Sequence, residues 1–203
     1  MSKLNEFRFI GFDLDNTLFD QNAYNLNVVK EFSSQLDFDE SYLIEAYKKS
    51  YNSSDFIKTT LLNAGIFSEK NHNLFFEFYK TTKRSVNLFE SACKALMELS
   101  SIKEVKIFLV TNGVVDVQRN KVELLGLHNY MDLIVYARTW GPENEKPNAM
   151  PFEFVYKTLG GQPSDYLMFG DSYVNDVQPV LKLGWSAELV DFDFDFYKYI
   201  FAQ

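Results

Sequence analysis

The sequence predicts an α/β fold: a parallel sheet with helices on both faces, carrying an all-helical insert after its first strand. Three observations predict it. Short apolar, aromatic-rich runs read as buried strands, helical patterns that stop at a glycine separate the later runs, and one long stretch has helical periodicity with no convincing strand.

The first run, Phe7–Phe12, is too short for a helix and reads as a buried strand. From about Asp20 to Ser85 the alternation breaks, and helical patterns cover Asn25–Leu36, Glu40–Tyr51, Asp55–Ala64 and Asn71–Arg84. This divides the chain into core segments 1–19 and 86–203 and an inserted helical unit, 20–85. A helix at Ser91–Leu99 leads into the second strand, Lys106–Val110. Then follow a helix at Val114–Leu125 before Gly126, a strand at Leu133–Tyr136 and a helix at Met150–Leu159 before Gly160. A strand at Tyr166–Phe169, a helix at Val174–Leu183 before Gly184 and a strand at Ala187–Val190 complete the core. The alternating Asp191–Phe196 tail reads as a peripheral extended segment or edge, apolar on one face and charged on the other.

At 203 residues the chain holds one full domain and a smaller module, and its 46% hydrophobic and 24% charged residues are ordinary globular composition. A formal charge of −8 leaves no basic stripe for a nucleic-acid backbone. Small phosphorylated substrates are compatible with it, because they need positive charge only at the pocket. A single cysteine, Cys93, excludes an internal disulfide framework, fits a reducing compartment and reads as a small buried residue. Met1–Glu6 lacks the layout of a signal peptide, and no stretch reaches the roughly 18 apolar residues of a membrane span. A cytoplasmic protein with no membrane partner is expected. His72 and His128 read as surface residues, and the sequence does not specify an oligomeric state.

Chemistry concentrates where strands end. The first strand runs into Asp13-Leu14-Asp15-Asn16-Thr17, where two neighbouring carboxylates repel each other unless a cation or proton lies between them. After the second strand comes Thr111-Asn112-Gly113, a hydroxyl and flexible backbone amides suited to phosphate oxygens, and equally the makings of a helix cap. Lys146-Pro147 follows the third strand, and Gly170-Asp171-Ser172-Tyr173-Val174-Asn175-Asp176 follows the fourth. Open parallel sheets bind ligands outside the carboxyl ends of their strands, so these clusters converge on one place.

Taken in order, Asp13-Leu-Asp15-Asn-Thr17, Leu109-Val-Thr111-Asn-Gly113, Lys146-Pro147 and Gly170-Asp171-Ser-Tyr-Val-Asn-Asp176 resemble the motifs of the haloacid dehalogenase superfamily, from about Phe7 to Val190. The resemblance implies a Rossmann-like core with its first strand central and a helical cap inserted after the first motif. It implies that Asp13 attacks phosphorus to form an aspartyl-phosphate, and that Asp15 is general acid and base. Mg²⁺ would be held by Asp13, the Asp15 main-chain carbonyl and Asp171, with Asp176 behind them. Thr111 and Asn112 would hold the phosphoryl group, and Lys146 would orient Asp13 and offset charge.

Within that family the carboxylate at Asp15 separates phosphatases and phosphoryl transferases from dehalogenases and phosphonate hydrolases, which lack it. The expected activity is hydrolysis of a small phosphomonoester, with a nucleotide or sugar phosphate as the expected substrate. The alternatives are a sugar phosphomutase or other phosphotransferase, and a non-catalytic phospho-acceptor module. Phe19, Asp20, Tyr24, Tyr51, Lys58 and Arg84 are the insert's candidates for facing substrate.

Overall fold

The computed structural model describes residues 6–201. Strands β1 (Phe9–Phe12), β2 (Lys106–Thr111), β3 (Leu133–Tyr136), β4 (Tyr166–Gly170) and β5 (Ser186–Leu189) form one sheet in the order β3-β2-β1-β4-β5. Every pairing is parallel, and β1 lies at the centre between β2 and β4. All four β1 side positions are buried, as a strand covered on both faces requires. Gly11 is needed there, because a Cβ at that position would meet the Phe108 ring at 2.2 Å.

Between the strands lie α5 (Glu90–Ser100), α6 (Val115–Leu124), α7 (Met150–Leu159) and α8 (Gln178–Lys182). Part of the core is a stack of aromatics: Phe9 on Tyr166 with ring centroids 4.4 Å apart, and Tyr166 on Trp185 at 4.3 Å. Phe152, Val155 and Val180 pack into the same cluster. The chain separates into two compact units, one made of the segments up to Asp20 and from Asn87 onward, the other Gln21–Val86.

The second unit contains α1 (Gln21–Leu36), α2 (Glu40–Lys48), α3 (Phe56–Asn63) and α4 (Glu69–Thr81). Asp39, Asp55 and Ser68 cap the last three, each accepting from the backbone N–H three residues on, which satisfies one otherwise orphaned donor. Phe32 stacks on Phe75 at 4.6 Å, and the Tyr24 hydroxyl donates to the Tyr79 carbonyl at 2.6 Å.

Several expectations change. The helix expected over Val174–Leu183 opens instead as a π turn, Tyr173–Val177, before the short α8. Pro179 has no N–H to give to the Asn175 carbonyl, so an α-helical ladder cannot run through it, and the Val177 amide bonds Ser172 five residues back. The Asp191–Phe196 tail is not an extended edge: Phe194 and Phe196 pack against Phe169, and α9 (Phe196–Phe201) lies against α5. Cys93 is half-buried. Of the substrate-facing candidates, Phe19 and Tyr24 are fully buried core residues, whereas Tyr51, Lys58 and Arg84 are exposed.

Candidate active site

The carboxyl ends of the central strands build the site. Beyond β1 the Asp13 amide still donates to the Phe169 carbonyl at 2.9 Å, so the neighbouring strand sets its backbone position. The chain then turns sharply. Asn16 adopts a left-handed φ of 59°, and the Leu18 amide bonds the Leu14 carbonyl at 3.0 Å. Thr17 is returned beneath Asp13: its hydroxyl lies 3.3 Å from Asp13 Oδ2 and accepts from the Asp171 amide at 3.1 Å. Thr17 thus ties the loop after β1 to the loop after β4.

Lys146 enters the core from the loop before α7 and is 5% exposed. Its ammonium has three donors, and three acceptors meet them: Asp13 Oδ1 at 2.5 Å, Asp176 Oδ1 at 2.6 Å and the Val110 carbonyl at 2.9 Å. Burial alone would lower its pKa, but Asp13 and Asp176 outweigh it and hold the ammonium above the ordinary lysine range.

Reciprocal bonds fix the Lys146 backbone. Asn112 Nδ2 donates to the Lys146 carbonyl at 2.8 Å, and the Lys146 amide donates to Asn112 Oδ1 at 2.9 Å. The Asn112 side chain is therefore a strut between two loops, and any grip on a phosphoryl group falls to its backbone amide. Glu145 braces the same loop by accepting from the Gly113 amide and, at 2.9 Å, from Arg138.

Asp176 is 1% exposed and is held at both oxygens, by Lys146 and by the Ser172 amide at 3.1 Å. Gly170 makes room for it, since a Cβ at Gly170 would lie 2.2 Å from the Asp176 Cβ. Asp171 is exposed, and the carboxylate oxygens of Asp13, Asp171 and Asp176 lie within 4.8 Å of one another. Burial, with the negative charges of Asp176 and Asp15, pushes Asp13 up to about 7, although Lys146 opposes it. Burial and Asp176 likewise raise Asp171. Three acids facing one ammonium leave an uncompensated negative charge, and an all-oxygen donor set of this kind suits a hard divalent cation.

The sequence expectations omitted two side chains. Gln118 and Lys121, on α6, are 2% and 0% exposed and point at the site. The Lys121 ammonium contacts Asp15 Oδ1 at 2.7 Å and Oδ2 at 3.0 Å. Gln118 Nε2 lies 2.8 Å from Asp15 Oδ2 and 2.6 Å from Thr111 Oγ1. A sequence signal existed. Val117, Gln118, Lys121, Val122 and Leu125 recur at helical spacing, so two polar residues interrupt an apolar stripe that faces the core.

The parallel sheet and the acids at its carboxyl edge define an α/β enzyme that works at the ends of its strands. Residues 10–187 match the family model described as haloacid dehalogenase-like hydrolase. The N-acylneuraminate-9-phosphatase of Homo sapiens is 31% identical over 208 residues, covering 91% of this chain and 82% of that protein. A glyceraldehyde 3-phosphate phosphatase of Methanothermobacter thermautotrophicus is 26% identical over 192 residues, covering 89% and 84%. A putative HAD-hydrolase of Bacillus subtilis, solved bound to magnesium, shares the fold with a TM-score of 0.68 at 16% identity, covering 90% of this chain and 86% of that one. The chain belongs to the haloacid dehalogenase-like hydrolases, and within them it is a phosphatase.

Proposed function

We propose that this protein hydrolyses a small phosphomonoester, a sugar phosphate or nucleotide, through a phosphoryl group carried on Asp13. The observation that carries this reading is Lys146 bridging Asp13 and Asp176. A buried carboxylate held by an ammonium can approach an anionic phosphate that would otherwise repel it.

Asp13, the Asp15 main-chain carbonyl and Asp171 would hold Mg²⁺, with Asp176 supporting them through Lys146. Bound there, the ion would draw charge from the phosphoryl oxygens. An oxygen of Asp13 attacks phosphorus, and the bond to the leaving oxygen breaks with its electron pair while Asp15 supplies a proton. Water then attacks the same phosphorus and gives its proton to Asp15, and the bond to Asp13 breaks. Thr111 and the Asn112 amide grip the phosphoryl oxygens throughout.

The relatives named above act on an N-acylneuraminate phosphate and on glyceraldehyde 3-phosphate. Both are small and sugar-like, which supports a small polyol or sugar phosphate. We assign choice among such substrates to the helical unit, which leaves the chain a few residues beyond Asp15. A cytoplasmic location belongs to the same proposal. Among the described residues no helix is long and apolar enough to cross a membrane. The deciding experiment measures magnesium-dependent phosphate release from sugar phosphates, nucleotides, phosphopeptides and nucleic-acid ends. Efficient hydrolysis confined to the small esters supports the reading, and a marked preference for phosphopeptides or nucleic-acid ends overturns it.

A further inference from the structure

We infer that Lys121 and Gln118 are positioning residues: both hold Asp15 to take a proton from water in the second half of the reaction, and Gln118 also fixes the Thr111 hydroxyl that grips phosphate in both halves. The inference rests on the proposed roles of Asp13 and Asp15 and deepens them.

Lys121 is a fully buried cation from a different element, 106 positions from Asp15. Burying an ammonium is costly unless it is paired in good geometry, and here it meets both oxygens of one carboxylate. Its ammonium also lies 6.0 Å from the centroid of the Phe19 ring, over the ring face, a cation–π contact that adds to the restraint. Gln118 brings a second donor to Asp15 Oδ2. Both side chains meet the Asp15 carboxylate with N–H donors, the partners that a proton-accepting carboxylate takes. These three contacts hold the Asp15 carboxylate in one orientation, two residues along the chain from Asp13.

The second contact of Gln118 does a related job. Its Nε2 donates to Thr111 Oγ1 at 2.6 Å, which occupies an acceptor lone pair of that hydroxyl. In this structure the hydroxyl hydrogen goes to the Asn112 carbonyl at 3.3 Å, a long bond that an incoming phosphoryl oxygen can replace. One amide thus links the group that grips phosphate to the group that receives the water's proton. Asp15, Lys121, Gln118, Thr111, Asp13 and Asp171 make up the charged and polar surroundings on which this arrangement depends.

The test separates the two half-reactions with an activated aryl phosphate, whose leaving group needs no proton. Rapid-quench kinetics give the rate of the first burst of phenolate, and the phosphoryl group trapped on protein gives the rate of its hydrolysis. For Lys121→Met the burst rate should stay within about threefold of wild type, while phosphoenzyme hydrolysis should slow by about 10²-fold and phosphoenzyme accumulate. Lys121→Arg should recover part of the loss. Gln118→Met, a smaller perturbation of similar volume, should slow phosphoenzyme hydrolysis more than the burst, together with a raised KM from the unfixed Thr111.

Equal losses in both half-reactions, or no loss in either, for Lys121→Met or, if that variant does not fold, for Gln118→Met, would overturn the inference. Failure of the underlying reading looks different. Wild type and an Asp15→Asn control would then leave no phosphoryl group on Asp13, and the inference would fall with that reading.

Discussion

The Lys146 ammonium lies 2.5 Å from Asp13 Oδ1 although the two residues are 133 positions apart, and Asp176 takes a second of its three hydrogens. This pair joins the loop before α7 to the end of β1. Its burial means that removing the ammonium leaves two buried acids without their shared cation.

Replacing Lys146 with alanine should therefore act on stability and rate together. Asp13 and Asp176 would be left as buried, uncompensated charges, a loss of about 3–5 kcal/mol in urea unfolding without metal. Turnover at saturating magnesium should fall by about 10²–10³-fold, since one preorganised charge is lost. Wild-type turnover in the folded variant would show that another group compensates Asp13.

Asp13→Asn should separate activity from stability. The neutral amide is a poor nucleophile, so turnover should drop by several orders of magnitude. Burial of the Asp13 charge, which drives its pKa up to about 7, disappears in the amide, so the metal-free variant should melt no lower than wild type at about pH 8. A large fall in melting temperature there would mean that the Lys146 pair outweighs the cost of burial.

Metal dependence should change with pH in a stated direction. Without metal, Asp13 keeps its proton to about 7 in the folded chain against 3.8 for the free side chain. In that window the folded state binds more protons than the unfolded one. The contribution of this group to stability is present at low pH and lost as pH rises through about 7. Magnesium takes the ionised form, and Asp171 is raised in the same sense. The gain in melting temperature on adding magnesium should thus be small near about pH 5.5 and larger by several degrees near about pH 8. A gain that shrinks with rising pH would contradict this assignment of the acids.

Gly170→Ala tests the support behind Lys146. The added Cβ has nowhere to go but into Asp176, at 2.2 Å, so the carboxylate must shift. Stability should fall by about 1–3 kcal/mol, and turnover should fall more than KM changes. An unaltered kcat would show that Asp176 tolerates displacement.

Substitutions at Tyr51, Lys58 and Arg84, exposed residues of the helical unit, should shift the ranking of substrates and leave the hydrolysis of an activated aryl phosphate nearly intact. Tyr24 should behave differently, as it is buried with its hydroxyl on the Tyr79 carbonyl. Tyr24→Ala should cost about 3–5 kcal/mol of stability, as loss of a large core aromatic does. If the three exposed substitutions leave every substrate unchanged, the helical unit has no part in selection.

By itself the sequence determined the parallel α/β core and the order of its strands along the chain. It also determined which polar clusters stand at strand ends, because period and glycine stops are local and the carboxyl edge of a parallel sheet is a general binding place. That Asp13, Asp15, Thr111, Lys146, Asp171 and Asp176 stand at strand ends or in the loops after them was legible for that reason, while their roles rest on the resemblance of the four motifs. What only the tertiary structure decided is which groups face one another: Lys146 between Asp13 and Asp176, the Asn112 side chain as a strut, and Lys121 and Gln118 on Asp15. The π turn before Pro179 and the packing of Phe194 and Phe196 belong to the same class. Each depends on residues tens of positions apart or on a local conflict resolved by burial. A polar residue within an apolar stripe can be recognised in a sequence, but its partner is chosen by the fold, where an unpaired buried charge costs too much to persist.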